Sequence, residues 1–410
     1  VGYRGVWLKP SWPSPCRRLR APAASWPAMG IRRSLLALLV GLAGAIGYRG
    51  GQDAPPGSEL QRDGVEASRW AVRVFSSGDA GVSCYRIPAV VSTPNGTLVA
   101  FAEARHGGCA DGGTREIAVR RSADGGRTWS AVGFAAGSRT NRVGNPYPIV
   151  LRSGRIVLVY VKHGAQDACG NGGCGSGNGV VFSDDGGATW TPEHDVSEQF
   201  GRARGALTGP GSGVALEVSP GHERLLAVAH RGAYIEDYVT YSDDGGTTWT
   251  TQERTFPRMD EGTFADLGGG HVLLSMRHTQ EPRLGRALAR SRDFGLTWSP
   301  VEFDRSLVGP VCQGSLMHLG SRVYHSNPAS GSSRGRLTVR SSEDGGRSWT
   351  RAVLVQARAS MGYSSLLRAP VGDNATGGIL FEASRSGCVD FTTFPLDMDP
   401  SHAFHRAAAP

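Results

Sequence analysis

The amino-acid sequence predicts an all-β fold, a β-propeller, and three observations lead to this prediction. A short turn motif of Ser, Asp two residues on, Gly two further, a hydroxyl residue and Trp occurs five times. Successive copies begin 61, 59, 49 and 51 residues apart, and an apolar, strand-like run precedes each. A period of ~40–60 residues made of short strands is typical of radial blades. The copies are SADGGRTW from residue 122, SDDGGATW from 183, SDDGGTTW from 242, SRDFGLTW from 291 and SEDGGRSW from 342.

Each motif has the chemistry of a hairpin turn. The Asp side chain accepts hydrogen bonds from backbone N–H groups downstream, Gly takes a positive φ, and Trp packs back on the hairpin. Asp and Gly are also typical of calcium loops, but one carboxylate per turn is too few for a calcium site. We therefore predict structural turns, with no metal and no cofactor.

The strands between the turns are short and apolar, but one of them carries an unexpected charge. Arg86 stands in SCYRIPAV, between Tyr85 and Ile87. A buried guanidinium costs several kcal/mol unless an anion meets it, so we expect its partner to be an internal carboxylate or a ligand. The runs before the five turns are IAVRR, GVVF, DYVTY, ALARS and LTVRS, and GRIVLVYV (154–161) and HVLLSMR (271–277) supply further strands.

The net charge of the chain indicates which classes of partner it could bind. The formal net charge is +8, which suits nucleic acid, a membrane surface or an acidic substrate. The sequence has no Lys/Arg run of the nucleic-acid-binding type, so we predict no nucleic-acid partner. Arginine greatly outnumbers lysine. This favours planar recognition of carboxylate or phosphate, although a GC-rich coding sequence would give the same bias.

The N-terminal part has the pattern of a targeting segment. The basic stretch Met29-Gly-Ile-Arg-Arg is followed by SLLALLVGLAGAI at 34–46, as in a signal peptide. This apolar run is shorter than the ~20 residues of a membrane span, so an uncleaved anchor is the alternative. Met29 is either the true start or an internal residue, and both interpretations direct the chain to the secretory pathway. The predicted organisation is an irregular leader over 1–28, a signal peptide or short anchor over 29–50, a linker over 51–67, the propeller domain over 68–397 and a tail over 398–410.

The cysteines agree with a secreted chain. Cys16 lies in the leader, and six others lie in the body, an even number that allows full pairing. Cys169 and Cys174 flank a short Gly-rich spacer, so we predict a local disulfide between them. Zinc binding is the alternative, but no CxxC or His spacing supports it. The remaining body cysteines are Cys84, Cys109, Cys312 and Cys388, and the glycosylation sequons are Asn95-Gly-Thr97 and Asn374-Ala-Thr376.

The turns and the strand around Arg86 together resemble a known family. The turns match the Asp boxes of sialidases, and YRIP at 85–88 matches that family's (F/Y)RIP motif. The segment from YRIPAVVSTPNGTLVAFAEAR to DGGTREIAVRRSADGGRTW is similar to the vertebrate lysosomal sialidase and to secreted bacterial sialidases, and the resemblance covers roughly 75–385. It implies a six-bladed propeller of four-stranded blades as the catalytic domain. Five boxes fit six blades if one blade lacks a box and the chain ends close together.

The resemblance implies a site for the carboxylate of sialic acid. Holding that carboxylate requires cations that stay charged and bind in the plane, which means arginine. Arg86, Arg277 in LLSMRH and Arg340 in LTVRSS align with the family's arginine triad. Glu382 in ILFEASR matches the glutamate that supports the first of these arginines.

The resemblance also implies an unusual nucleophile. A charged carboxylate that attacked the anomeric carbon would be repelled by the adjacent substrate carboxylate, whereas a neutral phenol avoids this repulsion. Tyr363 in SMGYSSL matches the family tyrosine, and Glu261 in RMDEGTF matches its partner. A phenol with an ordinary pKa near ~10 needs such a base at neutral or acidic pH.

A Gly-rich loop, EARHGGCADGG at 103–113, is expected to supply the acid/base. Asp111 aligns with the family acid/base, and Arg105 matches a further substrate-contacting arginine that Glu103 would orient. Asn145, in GNPYPI, resembles the loop that contacts the N-acyl side of the sugar. The glycines of GPGSGV at 209–214 suggest a close approach of the backbone to the pocket.

These residues predict an exo-α-sialidase that releases terminal sialic acid, with retention, from glycoproteins, gangliosides and oligosaccharides. A trans-sialidase with the same residues is one alternative. A non-catalytic Asp-box propeller that binds glycan or protein is another, but it would not need Tyr363, Glu261 and Asp111 together. The resemblance implies the lysosomal lumen or the extracellular space. Membrane association would come from the N-terminal apolar segment.

Overall fold

Over the residues that it describes, the computed structural model shows six β-sheets arranged as the blades of a propeller, with one short 3-10 turn at Asp79–Gly81. The predicted all-β, six-bladed fold is therefore confirmed. Every residue that the structure describes belongs to the unit Arg62–Pro410. The described residues are 65–66, 71–163, 176–201, 206–232, 234–279, 284–371 and 374–396.

The strands are numbered in chain order, and the first strands of successive blades contact one another in a closed ring. The first blade contains β3 (Cys84–Ser92), β4 (Leu98–Arg105), β5 (Arg115–Ser122) and β6 (Gly133–Gly137). The second contains β7 (Val143–Val150), β8 (Ile156–Lys162), β9 (Gly177–Ser183) and β10 (His194–Asp195). The third contains β11 (Ala206–Thr208), β12 (Val214–Ser219), β13 (His222–Arg231), β14 (Glu236–Ser242) and β15 (Thr250–Pro257). The fourth blade contains β16 (Met259–Gly268), β17 (His271–His278), β18 (Arg286–Ser291) and β19 (Glu302–Asp304). The fifth contains β20 (Ser315–Leu319), β21 (Arg322–Pro328), β22 (Leu337–Ser342) and β23 (Arg351–Gln356), together with β1 (Val65–Glu66). The sixth contains β24 (Ser364–Val371), β25 (Asn374–Glu382) and β26 (Val389–Phe394), together with β2 (Val72–Phe75).

The chain closes the ring by joining strands from its two ends. In the sixth blade β2 pairs antiparallel with β26, with Val72 opposite Phe391. The five Asp boxes connect the third to the fourth strand of the other blades. The sixth blade has no such connection, because its fourth strand comes from the opposite end of the chain. This explains why six blades contain only five boxes, as the sequence analysis expected.

The apolar cores lie between neighbouring blades, and β4 shows why its strand is buried on both faces. Leu98 and Ala100 point into the core shared with the sixth blade. Val99 and Phe101 point into the core shared with the second blade. Successive side chains of a strand point to opposite faces, so each face of the blade packs against a neighbour. Burial of a side chain the size of Phe101 contributes about 1.5–3 kcal/mol.

The first Asp box has the hydrogen bonds that its sequence predicts. The Ser122 hydroxyl donates to Asp124 (2.7 Å) and accepts from the Gly126 N–H (2.9 Å), and Asp124 accepts from the N–H and hydroxyl of Thr128 at 2.9 and 2.6 Å. Desolvation alone would raise the pKa of Asp124, but these hydrogen bonds lower it to about 2. A Cβ on Gly126, where φ is +90°, would lie 2.2 Å from the Phe391 ring. The carboxylate is therefore occupied within the turn, in agreement with the predicted structural role.

The box tryptophans also join one blade to the next. The Trp129 indole donates to the Gly126 carbonyl (3.0 Å), which keeps it on its own hairpin as predicted. Its ring packs edge-on against Phe391 of the sixth blade, with 5.6 Å between ring centres. Trp190 of the second blade packs in the same way on Phe101 of the first, at 5.8 Å.

The cysteine prediction is only partly tested. Cys84 and Cys109 form a disulfide, which the spacing argument did not predict. Cys312 is a buried free thiol, so the full pairing that the even number of body cysteines allows is not found. Cys169 and Cys174 lie outside the described residues, and their disulfide stays a prediction. The leader, the signal peptide or anchor over 29–50 and the tail also lie outside them. Within the described ranges, the structure contains no helix long and apolar enough to cross a membrane.

Candidate active site

A polar cavity of ≈ 240 Å³ brings together most of the residues singled out from the sequence. Six of its lining residues come from the first, second, fourth and sixth blades and were predicted as site residues; a seventh, Asp111, lies in the loop after β4. Glu382 lies behind the lining, in contact with Arg86. The predicted residues that line the cavity are Arg86, Arg105, Asp111, Asn145, Glu261, Arg277 and Tyr363.

A bulge in β3 positions Arg86. The pairing register of β3 with β4 shifts between Arg86 and Ala89, and Ile87 takes a φ of 55°. A positive φ is strained for a β-branched residue, and bulges re-aim the side chains beside them. The Ile87 N–H donates to Glu382 at 3.1 Å, so the same carboxylate that meets Arg86 holds the bulge.

Glu382 is the internal anion that Arg86 needs. Arg86 is 5% exposed, and its Nε donates to Glu382 Oε1 at 3.0 Å. The other carboxylate oxygen accepts from the backbone N–H of Tyr363 at 3.0 Å. Glu382 is 1% exposed, so these contacts are made away from water. The structure therefore places Glu382 in the supporting contact that the resemblance implied.

Tyr363 and Glu261 form a hydrogen-bonded pair at the base of the cavity. The Tyr363 hydroxyl donates to Glu261 Oε1, and Arg277 Nη1 donates both to Glu261 Oε2 (2.7 Å) and to the Tyr363 oxygen (3.0 Å). Glu261 stands at a register shift between β16 and β17, so a second bulge positions this carboxylate.

The environment keeps the phenol neutral and the carboxylate charged. Burial, followed by the charge of Glu261, raises the pKa of Tyr363 well above its ordinary value of 10.0. Burial alone would raise the pKa of Glu261, but Arg277 and the Tyr363 hydroxyl together lower it below its ordinary value. A neutral phenol in contact with a charged base is the state required of a tyrosine nucleophile.

Asp111 faces this pair from the loop between β4 and β5. Its side chain is 68% exposed, and it accepts from Arg105 Nη1 at 2.9 Å and Arg86 Nη1 at 3.3 Å. Arg105 is itself held by Glu103, with its Nε 2.8 Å from Oε2. Burial alone would raise the pKa of Glu103, but Arg105 and Arg115 lower it to about 2. Asn145, with a φ of 49°, donates its backbone N–H to the same glutamate at 2.9 Å.

The structure does not bring Arg340 into the cavity, and this prediction needs correction. Arg340 lies on β22, the third strand of its blade, and its Nη1 donates to Asn327 at 3.1 Å. Arg334, in the loop before β22, lines the cavity instead. Its guanidinium carbon lies 5.6 Å from the centre of the Tyr363 ring. The third strand lies farther from the ring of first strands, whereas the loop before it reaches the cavity.

Sequence reasoning missed other residues that line the cavity, among them Tyr234, His230 and Asp260. Tyr234 accepts a hydrogen bond from Arg277 Nη2, and that guanidinium stacks over its ring at 5.2 Å. His230 Nε2 lies 3.1 Å from Asp260 Oδ1, and Asp260 also accepts from the Glu261 N–H at 2.9 Å. The only sequence signal was the position of Asp260 next to Glu261.

The GPGSGV segment does not supply a cavity wall. It interrupts the first strand of the third blade, between β11 and β12. A Cβ on Gly209 would lie 2.4 Å from the Tyr147 ring, and one on Gly213 would lie 2.4 Å from the Leu226 carbonyl oxygen. The close approach predicted from these glycines is therefore to neighbouring strands.

Residues 96–374 match the family model described as the BNR repeat-like domain. The chain belongs to this family. The matched range contains all five Asp boxes, and the relatives that the chain matches include sialidases, so the resemblance stated from the sequence is confirmed. The sialidase of Micromonospora viridifaciens is 32% identical over 335 residues, which are 75% of this chain and 51% of that protein. The exo-alpha-sialidase of Arthroderma benhamiae is 27% identical over 382 residues, 83% of this chain and 90% of that protein.

A solved structure supports the same resemblance to sialidases. The Hadza microbial sialidase Hz136 is similar with a TM-score of 0.70 and 27% identity, over 80% of this chain and 69% of that one. The chain spans about half the length of the Micromonospora protein.

Proposed function

We propose that this chain is an exo-α-sialidase that hydrolyses terminal sialic acid with retention of configuration. The observation that carries the proposal is the Tyr363–Glu261–Arg277 cluster, which faces Arg86, Arg334 and Asp111 across one cavity. A propeller that only bound glycan would need the arginines. It would not need a buried phenol hydrogen-bonded to a charged carboxylate.

The arginines are suited to bind the substrate carboxylate. Arg86 uses its Nε for Glu382, and Arg277 uses Nη1 for Glu261 and Tyr363. Both are held rigid by these contacts, while the cavity side of each guanidinium can meet an anion. Arg334 adds a third cation beside the Tyr363 ring. Pre-positioned guanidinium groups bind a planar carboxylate with strong, directional hydrogen bonds.

The first chemical step transfers the sugar to the protein. The Tyr363 oxygen attacks the anomeric carbon and gives its proton to Glu261, while the bond to the aglycone breaks. Asp111 donates a proton to the departing oxygen and becomes a carboxylate. Arg277 contacts both Tyr363 and Glu261, so it stays paired with an anion as negative charge moves between the two oxygens.

The second step releases the sugar. Asp111 takes a proton from a water that attacks the anomeric carbon, the bond to the Tyr363 oxygen breaks, and Glu261 returns its proton to that oxygen. Two displacements at the same carbon give net retention. The protein ends in its starting state, because the attacking water replaces the proton that Asp111 gave to the departing oxygen and Glu261 returns the proton that it took from Tyr363.

The proposed substrates are terminal sialosides on glycoproteins, gangliosides and oligosaccharides. The cavity of ≈ 240 Å³ suits one terminal sugar. We also propose residence in the secretory pathway, in the lysosomal lumen or outside the cell, because the Cys84–Cys109 disulfide favours an oxidising compartment. Membrane association would depend on the apolar run at 34–46.

The test is incubation of the purified protein with a fluorogenic sialoside across pH 4–7, followed by NMR of the released sugar at early times. The proposal predicts hydrolysis with the α-anomer of sialic acid as the first product. Folded protein that releases no sugar would contradict an enzymatic role. A β-anomer as the first product would contradict retention, and sialic acid found mainly on an added galactoside would indicate a trans-sialidase.

A further inference from the structure

The loop at 106–114, here called the acid loop, carries Asp111 and is covalently tied to the strand that carries Arg86. The Cys84–Cys109 disulfide makes this link. Cys84 lies two residues before Arg86, and Cys109 lies two residues before Asp111. The disulfide therefore joins the backbone next to the exposed Asp111 to the backbone next to the buried Arg86.

The acid loop has few other attachments. At its base the Ser83 hydroxyl donates to the His106 carbonyl at 2.8 Å, and the His106 N–H donates to the Thr114 carbonyl at 3.3 Å. The His106 side chain also contacts β5, with its Nε2 2.7 Å from Glu116 Oε2. In its middle Arg105 Nη1 donates to the Cys109 carbonyl at 2.7 Å. A Cβ added at any loop glycine would meet no atom within 4 Å, so the loop backbone is not packed against neighbours there. These glycines are Gly107, Gly108, Gly112 and Gly113.

The other contacts of Asp111 are with groups that the substrate needs. Its carboxylate accepts from Arg86, which the proposed function gives to the substrate carboxylate, and from Arg105, which the sequence predicts to contact the substrate. A bound sialic acid carboxylate competes for Arg86, so this ion pair weakens when the acid is required to act. The disulfide is not subject to this competition.

The other end of the link is firmly anchored. Cys84 is fully buried in β3. Gly387 of the sixth blade approaches it so closely that a Cβ there would lie 2.4 Å from the Cys84 sulfur. The Gly387 carbonyl also accepts from the Tyr85 N–H at 3.2 Å. The loosely packed acid loop is thus joined to a buried strand.

We propose that the Cys84–Cys109 disulfide is a positioning element that keeps Asp111 over the leaving oxygen. The proposal rests on the sialidase function proposed above. Reduction of the disulfide lowers the rate of the step in which Asp111 protonates the leaving oxygen. Tyr363, Glu261 and the arginines keep their positions. The enzyme is therefore fully active only where the disulfide is maintained, which makes its activity on natural glycans sensitive to thiols.

The test compares two leaving groups in the variant Cys84→Ala/Cys109→Ala. Sialyllactose expels a sugar alcohol and needs a proton from the acid, whereas 4-methylumbelliferyl sialoside expels a stabilised phenolate. The ratio kcat/KM covers the steps up to sugar transfer to Tyr363. We expect it to fall at least about tenfold for sialyllactose, out of the ~10²–10⁴ that a general acid supplies, and less than about twofold for the aryl sialoside. Equal losses on both substrates, or no loss on sialyllactose, would overturn the proposal.

An Asp111→Ala background is the matched control. If the disulfide acts through Asp111, its removal there changes kcat/KM for sialyllactose less than about twofold, since coupled residues are not additive. A further loss equal to that in the wild-type background would refute a role in positioning Asp111. If the double cysteine variant fails to fold, the two leaving groups are compared instead on wild-type enzyme that has been mildly reduced. Alkylation mapped to Cys84 and Cys109 then shows that this disulfide has been opened. A wild-type protein inactive on both sialosides would instead refute the proposed function, before any variant is made.

Discussion

Replacing Arg334 by alanine removes a guanidinium whose central carbon lies 5.6 Å from the centre of the Tyr363 ring. Arg334 also donates to the carbonyls of Met361 and Val311, at 2.9 and 3.1 Å. It is half-buried, so water can replace it at these carbonyls. Arg340, six residues later, donates to Asn327 outside the cavity. The two arginines therefore make a matched pair, of which only one faces the proposed substrate.

The size of the effect follows from the contact that the substrate loses. One hydrogen bond between a guanidinium and a carboxylate contributes about 1.5–3 kcal/mol, so kcat/KM for Arg334→Ala should fall about 10- to 150-fold. Arg340→Ala should leave kcat/KM within about twofold of wild type. Each substitution removes ordinary hydrogen bonds, so each should lower the free energy of unfolding by about 1 kcal/mol.

The assay is kcat/KM on a fluorogenic sialoside, with denaturant unfolding of both variants. If both variants lose the same stability and only Arg334→Ala loses activity, the result supports Arg334, and not Arg340, as the arginine of this part of the site. A large activity loss in Arg340→Ala with wild-type activity in Arg334→Ala would refute it and restore the interpretation drawn from the sequence.

Three further predictions concern the same cavity. Tyr363→Phe should lower kcat by several orders of magnitude and leave the fold intact, because the nucleophilic oxygen is lost. Near-wild-type turnover would remove Tyr363 from the mechanism. Arg86→Lys should lower both kcat/KM and stability, because lysine lacks the Nε that donates to Glu382; a stable variant that binds the sialic acid glycal like wild type would contradict this. Glu103 has its pKa lowered from 4.5 to about 2, so its contribution to stability is present above pH 4.5 and is lost as the pH falls through that interval. The urea midpoint should drop between pH 5 and pH 3 in wild type and drop less in Glu103→Gln; an identical drop in both would refute the assignment.

The fold was predictable because its signals are local and repeated. Ser122, Asp124 and Thr128 bond to one another within one turn, so their spacing in the sequence already contains the geometry. Closure of the ring was predictable because five Asp boxes fit six blades only if one blade is completed without a box. The pairing of β2 with β26 required only that the two chain ends meet.

The site was predictable where a motif fixes a side chain relative to a strand. Arg86 and Glu261 stand at bulges inside strands, and both reach the cavity. Arg340 fits the same strand-like context but lies on a third strand, while Arg334 reaches the cavity from a loop without periodic pattern. The Cys84–Cys109 disulfide was missed for a related reason. The pairing of Cys84 with Arg105 across the β3–β4 hairpin brings the cysteines together, and their spacing alone does not show this.

The covalent role of Tyr363 is the central claim, and labelling tests it most directly. The protein is incubated with 2,3-difluorosialic acid, which slows release of the sugar from a covalent intermediate, and the digested peptides are mapped by mass spectrometry. We predict one fluorosialyl group per chain, on the peptide that contains Tyr363, and no label in Tyr363→Phe. A label on Asp111 or Glu261, or its absence from an enzyme that turns over sialosides, would contradict the account.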